Sequence, residues 1–427
     1  MPRHPSTPTP LNRYRIPFVL VTSLFFLWGL ANNMTDTLLA AFKKIMSMTD
    51  AQTSWIQVAF YGSYFCLALP AAWYIKRFSY KSGILLGLGL FAVGGLLFYP
   101  ASQTMVYGHF LAALFILAGG LSILETTANP YILSMGDDAT ATRRLNLAQA
   151  FNPIGSITGV ALSKLFILSG LEKENAAQRA QMSETALEAL QARELSAVMG
   201  PYVGLAIFLL LMWVVMALYP MPAGSDDEKE VHFGQTLARL VRNRRYLFGV
   251  IAQFFYVGAQ IGVWSFTIRY VMQELNLDEE AASDWYLAAL ILFLASRFIF
   301  TFLMQFISPA RLLMGLAALA TAATLGAIFL NGFSGVIALT AISGCMSLMF
   351  PTIFGLASEG LGADRKVGGS GLIMGILGGA VFTLVQGQIS DSAGIHASFA
   401  VPLICFVVVA AFGFFVHRTH PETAKQP

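Results

Sequence analysis

The chain has 427 residues, of which 56% are hydrophobic and only 11% are charged, with a formal net charge of +3. Soluble domains carry about 25% charged residues, so this composition excludes an ordinary soluble protein and predicts a polytopic membrane protein with the lipid bilayer as its solvent. Cys66, Cys345 and Cys405 all lie in apolar runs, which argues against a disulfide framework. Neither a metal-ligand cluster nor a phosphate-binding glycine loop is visible, so we expect no cofactor, no metal and no nucleic-acid partner.

Apolar runs of about the length needed to cross a bilayer recur along the whole chain. Twelve can be counted, near residues 17–42, 53–75, 82–101, 105–134, 145–170, 200–220, 246–274, 283–306, 310–330, 334–357, 368–389 and 395–417. They predict an all-α membrane protein with 12 transmembrane helices.

Two hydrophilic breaks, 171–198 and 221–245, interrupt these runs, and the second divides them six and six. Within them, Ser183 is a plausible helix N-cap, and residues 233–242 have the pattern of a short helix on the membrane surface. The predicted division is a tail 1–16, a six-helix bundle 17–220, a linker 221–245, a second bundle 246–417 and a tail 418–427.

Most loop lysines and arginines lie in the tails and the even-numbered loops, for example Arg144, Arg245 and Arg365. The positive-inside rule therefore places both termini in the cytoplasm. Similar landmarks also recur in the two halves. They are Pro130, Arg143, Arg144 and Gly155 in the first, and Pro351, Arg365, Lys366 and Gly375 in the second. A parallel six-plus-six repeat indicates a transporter whose halves rock about a site near the midplane.

Polar side chains inside the first and fourth runs are the strongest functional signal. Asn32, Asn33 and Asp36 share nearly one face of the first run, and Glu125 and Asn129 share a face of the fourth. Acids inside a membrane are functional by default, and two at different depths could pass a proton along the path. One of them could instead be a structural partner of a neighbouring helix.

Two further polar stripes follow, one of amides alone and one that combines amides with aromatic rings. Their members are Asn146, Gln149 and Asn152 in the fifth run, and Gln253, Tyr256, Gln260 and Trp264 in the seventh. Amides suit neutral hydroxyl-rich ligands, and rings suit the apolar faces of sugars. Helix–helix hydrogen bonding is the alternative role of any single amide. Two cations complete the set: Arg297 lies mid-run and is either structural or gating, whereas Arg269 lies near a run end and could snorkel.

The chain resembles the major facilitator superfamily and, within it, the fucose–proton symporter family. The resemblance rests on residues 26–36 (FLWGLANNMTD), 124–130 (LETTANP), 144–152 (RLNLAQAFN), 252–260 (AQFFYVGAQ) and 351–354 (PTIF), with the basic loop 76–83 (KRFSYKSG). It departs from the fucose pattern at Thr35 and Pro153, where Asn and Ser are expected.

This resemblance implies the major facilitator fold and uptake of a neutral sugar with protons. It assigns the coupling to Asp36 and Glu125, and it puts Gln149 and Asn152 near the sugar. Other members of the wider family take glucose, galactose or N-acetylglucosamine, some with sodium.

We therefore predict a sugar–proton symporter of the bacterial inner membrane, for L-fucose or a related hexose, and not an enzyme. A monomer is sufficient, because one chain contains both halves of the cavity. The alternatives are a sodium-coupled glucose, galactose or N-acetylglucosamine transporter, an exporter of amphipathic compounds, and a non-transporting sugar sensor. The amide stripes argue against the exporter.

Overall fold

A computed structural model describes residues 10–45, 50–104, 106–167, 181–223 and 233–419, and almost all of them are helical. The α-helices are α1 Pro10–Ile45, α2 Asp50–Arg77, α3 Tyr80–Thr104, α4 Tyr107–Ser134, α5 Ala141–Gln149, α6 Phe151–Leu162, α7 Glu184–Leu218, α8 Phe233–Arg242, α9 Arg244–Leu275, α10 Glu279–Leu303, α11 Pro309–Phe329, α12 Gly332–Met346, α13 Met349–Ser358, α14 Arg365–Met374, α15 Gly378–Ala393, α16 Ile395–Ser398 and α17 Ala400–Thr419.

Within the described part of the chain, eleven helical stretches are long and apolar enough to cross a membrane. The remaining predicted run, the fifth, is helical over residues 141–167 but consists of α5, α6 and a π-helical turn. Its continuity is interrupted at Ala150, so none of its pieces alone reaches the length of a span. Eleven of the twelve predicted runs thus correspond to helical stretches of span length, and the fifth forms a segmented helix. Three of the eleven stretches, the tenth, eleventh and twelfth, comprise more than one helix.

Capping explains where α7 begins. The Ser183 hydroxyl accepts a hydrogen bond from the Ala186 amide, so the helix starts well before the predicted sixth run and continues into it. The predicted surface helix at 233–242 is present as α8.

Helices pack mainly within their own half of the chain: α1 on α6, α3 on α4 and α7, α9 on α15 and α17, and α11 on α12. Among the described glycines, the closest approach to another helix has the same length in each half. A Cβ atom on Gly155 would lie 1.9 Å from the Phe26 carbonyl oxygen, and one on Gly378 would lie 1.9 Å from the Phe254 carbonyl oxygen. The two halves therefore repeat this contact, and the counterpart of Gly155 by packing is Gly378, three residues beyond the Gly375 that sequence spacing indicated.

The fourth and tenth runs differ in continuity. α4 runs unbroken through Pro130. The tenth run is split into α12 and α13 at Ser347 and Leu348, just before Pro351. Pro351 has no backbone N–H for the Ser347 carbonyl to accept, but Pro130 leaves α4 unbroken, so a proline alone does not determine where a run breaks.

The two halves meet at one end of the molecule, which we call the closed end and define by Tyr80, Asp138, Arg365 and Lys366. The buried Arg365 guanidinium donates to Asp138 Oδ1 at 2.9 Å, and the Lys366 ammonium lies 4.8 Å from the Tyr80 ring centroid. The charge pattern of the loops predicts that this end is cytoplasmic.

The linker helix α8 is fastened to the second half beside the closed end. Arg239 donates to both carboxylate oxygens of Asp364 at 2.7 Å, and the Thr236 hydroxyl donates to the same carboxylate at 3.1 Å. A bidentate arginine–carboxylate pair fixes orientation as well as distance, so α8 has a defined position.

Candidate functional site

Glu125 is the most isolated acidic group among the described residues of the membrane-spanning core. Its residue exposure is 1%, and neither carboxyl oxygen has a hydrogen-bond partner in the described part of the chain. The Tyr64 hydroxyl approaches the carboxyl group without completing a hydrogen bond of normal geometry, and the Trp28 indole approaches Tyr64. An ionised carboxylate at this depth would be costly, so the arrangement favours the protonated acid.

A chain of amides connects the fifth run to Glu125. Gln149 Nε2 donates to Asn129 Oδ1 at 2.7 Å, and Asn129 Nδ2 donates to the Glu125 carbonyl oxygen at 3.0 Å. All three residues are buried. Here the structure joins residues that the sequence had placed in two separate motifs.

The other two amides of the fifth run are held by the protein itself. Asn146 Nδ2 donates to the Thr352 hydroxyl of the opposite half at 3.1 Å, and Asn152 Nδ2 donates to the Phe25 carbonyl oxygen at 3.2 Å. The helix interruption at Ala150 separates the two residues into α5 and α6. Asn146 therefore joins the two halves in this state, and Asn152 joins α6 to α1.

The first run contributes Asn32 and Asn33 from α1. Asn33 Nδ2 donates to the Gly29 carbonyl oxygen at 3.1 Å, whereas Asn32 Oδ1 is buried and accepts no hydrogen bond from the described residues. Asp36 belongs to α1, but its side chain lies outside the described residues. The proton-coupling role of Asp36 therefore stays a prediction.

The seventh run, in α9, presents one unpartnered amide beside two anchored rings. Gln253 is fully buried, and neither its oxygen nor its nitrogen has a partner among the described residues. The Tyr256 hydroxyl donates to the Met346 carbonyl oxygen at 3.0 Å, and Trp264 Nε1 donates to the Ser343 hydroxyl at 3.2 Å. The two rings brace α9 against α12, and Gln260 on the same helix is half-buried.

Arg297 and Arg269 have very different surroundings. Arg297 is 4% exposed; its Nη1 donates to the Gln149 carbonyl oxygen at 2.9 Å, and its Nε donates to the Ser347 carbonyl oxygen. The Arg269 side chain is 58% exposed and lies 3.9 Å from Asp391. The first cation joins the two halves, and the second lies at the surface, where snorkelling was predicted.

Sequence reasoning assigned no polar contact to three residues with buried polar groups near these helices: Tyr64, Thr352 and Gln386. Gln386 is fully buried, and both of its amide atoms lack partners among the described residues. Its one sequence signal was its position, together with Gln388, near the end of a long apolar run. The sequence indicated Tyr64 only as a cavity aromatic or a packing residue, and Thr352 only as part of the stretch 351–354, because their polar contacts come from other helices.

Together, these helices offer uncharged hydrogen-bonding groups and one buried acid. The Trp28 N–H can donate, Asn32 Oδ1 can accept, and the Gln253 amide can do both. Buried polar atoms without partners normally receive them from water or a ligand. The arrangement suits a small neutral ligand with several hydroxyl groups, together with a transferable proton on Glu125.

Known proteins share this sequence and this fold. The Major Facilitator Superfamily model matches residues 21–379. The L-fucose-proton symporters of Haemophilus influenzae and Escherichia coli are 42% and 39% identical to the chain; the matches cover 94% and 95% of this chain and 96% and 94% of those proteins. The glucose/galactose transporter of Brucella abortus is 33% identical, over 96% of both chains.

Solved structures agree. The structure of the transporter FucP in the outward conformation has a TM-score of 0.90 and 39% identity, and the match covers 95% of this chain and 99% of that one. The chain therefore belongs to the major facilitator superfamily and, within it, to the family of the fucose–proton symporters.

Proposed function

We propose that this protein carries L-fucose into the cell together with a proton across the bacterial inner membrane. Support comes from the two L-fucose-proton symporters, which match nearly the whole chain and are more similar to it than the glucose/galactose transporter. Both termini are cytoplasmic in this proposal, and the monomer is the working unit.

The observation that carries the proposal is the isolation of the Glu125 carboxyl group. It is buried, lacks a full hydrogen bond among the described residues and is approached only by neutral side chains in the contacts described above. A carboxyl group held in this way is stable with its proton and costly without it. It can therefore bind a proton in one state and release it when water or a counter-charge reaches it in another.

The sugar would be held between the halves by uncharged groups. From the first half come the Trp28 indole, Asn32 and the hydrogen-bonded pair of Asn129 and Gln149; from the second comes Gln253. Hydroxyl groups of a hexose can donate to and accept from these amides, and an indole ring suits an apolar sugar face. Asn33, Asn146, Asn152, Tyr256, Gln260 and Trp264 complete the predicted wall, several of them by holding its helices in place.

Transport follows if proton and sugar prefer the same conformation. The halves 17–220 and 246–417 rock as two bundles joined by the linker 221–245, and each ligand shifts the population toward the state that it binds better. Asp36, which the sequence places toward the outer side of its run, receives the proton, and Glu125 holds it until the closed end opens.

The position of Arg297 favours a proton over a sodium ion as the coupling ion. In broken transporter helices, unwound carbonyl groups commonly coordinate sodium. Here the Ser347 carbonyl at the break is bound by Arg297, and the Met346 carbonyl is bound by Tyr256. A guanidinium at this place repels a second cation.

Uptake into proteoliposomes tests the proposal. The purified protein is reconstituted at neutral pH in sodium-free buffer, the outside is acidified, and labelled L-fucose is offered with unlabelled galactose, glucose, arabinose or N-acetylglucosamine. We expect accumulation that a protonophore abolishes and that unlabelled L-fucose competes best.

Two outcomes would change the proposal. Accumulation only after sodium is added would make the coupling ion sodium. If glucose or galactose competed more strongly than L-fucose, the substrate would instead be a sugar named for the Brucella relative, bound at the same site. If no sugar moved under either gradient, the symport proposal would be wrong.

A further inference from the structure

Arg297 binds one backbone carbonyl from each half of the molecule. Its Nε donates to the Ser347 carbonyl oxygen in its own half, at the junction of α12 and α13. Its Nη1 donates to the Gln149 carbonyl oxygen of the other half at 2.9 Å, where α5 ends. The guanidinium also lies 4.7 Å from the Phe293 ring centroid, which holds it in place from its own helix.

Both of these carbonyl groups lack a helical donor for the same reason. In an α-helix, the carbonyl of residue i accepts from the N–H of residue i+4. The residue four positions after Gln149 is Pro153, and the residue four positions after Ser347 is Pro351. Proline has no backbone N–H, so each carbonyl is left free to accept from Arg297.

We propose that Arg297 is a positioning residue that clips the two halves together through the carbonyl groups which Pro153 and Pro351 leave free. Opening of the closed end breaks the contact with Gln149, while the contact with Ser347 travels with the second half. This inference rests on the proposed alternating access, and it identifies Arg297 as the group that stabilises the state in which the closed end is shut.

The clip is also connected to the sugar and proton site. The backbone of Gln149 binds Arg297, and its side chain donates to Asn129, which in turn bonds to the Glu125 carbonyl oxygen. A sugar that draws the Gln149 side chain toward itself also moves the carbonyl that Arg297 holds. Loading of the site therefore weakens the clip and eases opening of the closed end.

A cysteine reporter at the closed end measures how often it opens. Thr142 faces Gly355 across the halves, where a Cβ on the glycine would lie 2.5 Å from the threonine hydroxyl. We would introduce Thr142→Cys in a Cys66→Ser background, because Cys66 is the exposed native cysteine, whereas Cys345 and Cys405 are buried. Alkylation by a membrane-impermeant maleimide in inside-out vesicles, without sugar, reports opening.

Pro153→Ala is the decisive variant. It restores a helical donor to the Gln149 carbonyl, which then competes with Arg297, and alanine is compatible with the helical backbone of α6. We expect alkylation of the reporter to become roughly tenfold faster, as for loss of a charged hydrogen bond. Pro70→Ala in α2 is the matched control, with an exposed helix proline far from the clip in sequence.

Arg297→Lys, compared with Arg269→Lys, gives a second test, because a lysine keeps the charge but cannot bridge two carbonyls with a planar fork. The double variant with Arg297→Lys and Pro153→Ala should be alkylated little faster than either single variant, since both changes remove the same contact.

Alkylation as slow in Pro153→Ala as in Pro70→Ala would overturn the proposal. So would full additivity of the two changes. The readout uses neither sugar nor gradient, so it stands apart from failure of the fucose proposal.

Discussion

The fourth and tenth runs occupy matching places in the two halves, yet they differ in the kind of polar group that they bury. In α4 the helix continues through Pro130, and its buried polar group is a side chain, Glu125. In the tenth run the helix breaks before Pro351, and the polar groups that it offers are the Met346 and Ser347 carbonyls.

The difference separates two tasks. A side-chain acid can gain and lose a proton, so in the proposed mechanism the first half supplies the titratable group. Backbone carbonyls cannot titrate, but they accept hydrogen bonds from Arg297 and Tyr256, so in the same proposal the second half supplies the structural support. Changes in the first half should therefore affect coupling, and changes in the second should affect the balance of conformations.

The largest effect is expected for Glu125→Gln, which keeps the shape of the side chain but removes the titratable group. In a pH gradient of about two units, one proton per sugar can support roughly 100-fold accumulation. We expect this to fall to equilibration, while exchange of labelled for unlabelled sugar continues. The measurement is proteoliposome uptake and counterflow, with Glu280→Gln on the exposed start of α10 as the control. If Glu125→Gln still accumulated sugar, the residue that carries the coupled proton would not be Glu125 of α4.

The next largest effect is a loss of stability, and we expect it to be equal for two matching glycine substitutions, one in each half. Gly155→Ala and Gly378→Ala would each place a Cβ 1.9 Å from a backbone carbonyl oxygen, so a helix must shift. We expect each to lower the free energy of unfolding by about 2 kcal/mol, by overpacking. Thermal unfolding in detergent measures this, and Gly204→Ala, with no atom near its Cβ, is the control. A loss of stability in only one of the two variants would show that the two close contacts are not equivalent.

A smaller effect is expected for Gln149→Leu. The change removes the hydrogen bond to Asn129 and leaves a buried amide oxygen without its donor, which should cost about 1–2 kcal/mol of sugar binding. The KM for sugar should rise about tenfold, whereas Thr352→Val, which acts on the contact between halves, should mainly change kcat. Initial uptake rates over a range of sugar concentrations separate the two parameters. An unchanged KM in Gln149→Leu would exclude this amide from the site.

Arg269→Ala should have the smallest effect. Its side chain is mostly exposed and lies 3.9 Å from an exposed aspartate, and such surface pairs contribute little. Uptake within about twofold of the unmodified protein is expected, measured as for the other variants. A large loss would give Arg269 a gating role like that predicted from the sequence for Arg297.

Much of the fold could be predicted from the sequence, because each helix is encoded locally. Apolar run lengths, the Ser183 cap and the pattern of residues 233–242 all correspond to helices in the structure. The burial of Glu125 likewise follows from its place in an apolar run. The interruption at Ala150 and the break at Ser347 were missed. Each lies three or four residues before a proline, whereas α4 continues unbroken through Pro130, so a proline in the sequence does not by itself predict a break.

The site could be predicted only in part, for a related reason. Helical spacing places Asn146 and Gln149 on one face, but it cannot show what the neighbouring helices bring to that face. In the structure Asn146 meets Thr352, and the Gln149 carbonyl meets Arg297, across the two halves. Contacts between residues so distant in sequence depend on how the halves dock, which no single run encodes.

The most direct test of the account is a pH electrode in a lightly buffered, sodium-free suspension of vesicles that contain the protein. Addition of L-fucose should make the medium more alkaline as protons enter with the sugar, and Glu125→Gln should abolish the change while labelled sugar still exchanges. Fucose entry without any pH change in the unmodified protein, or an undiminished pH change in Glu125→Gln, would contradict the proposed coupling.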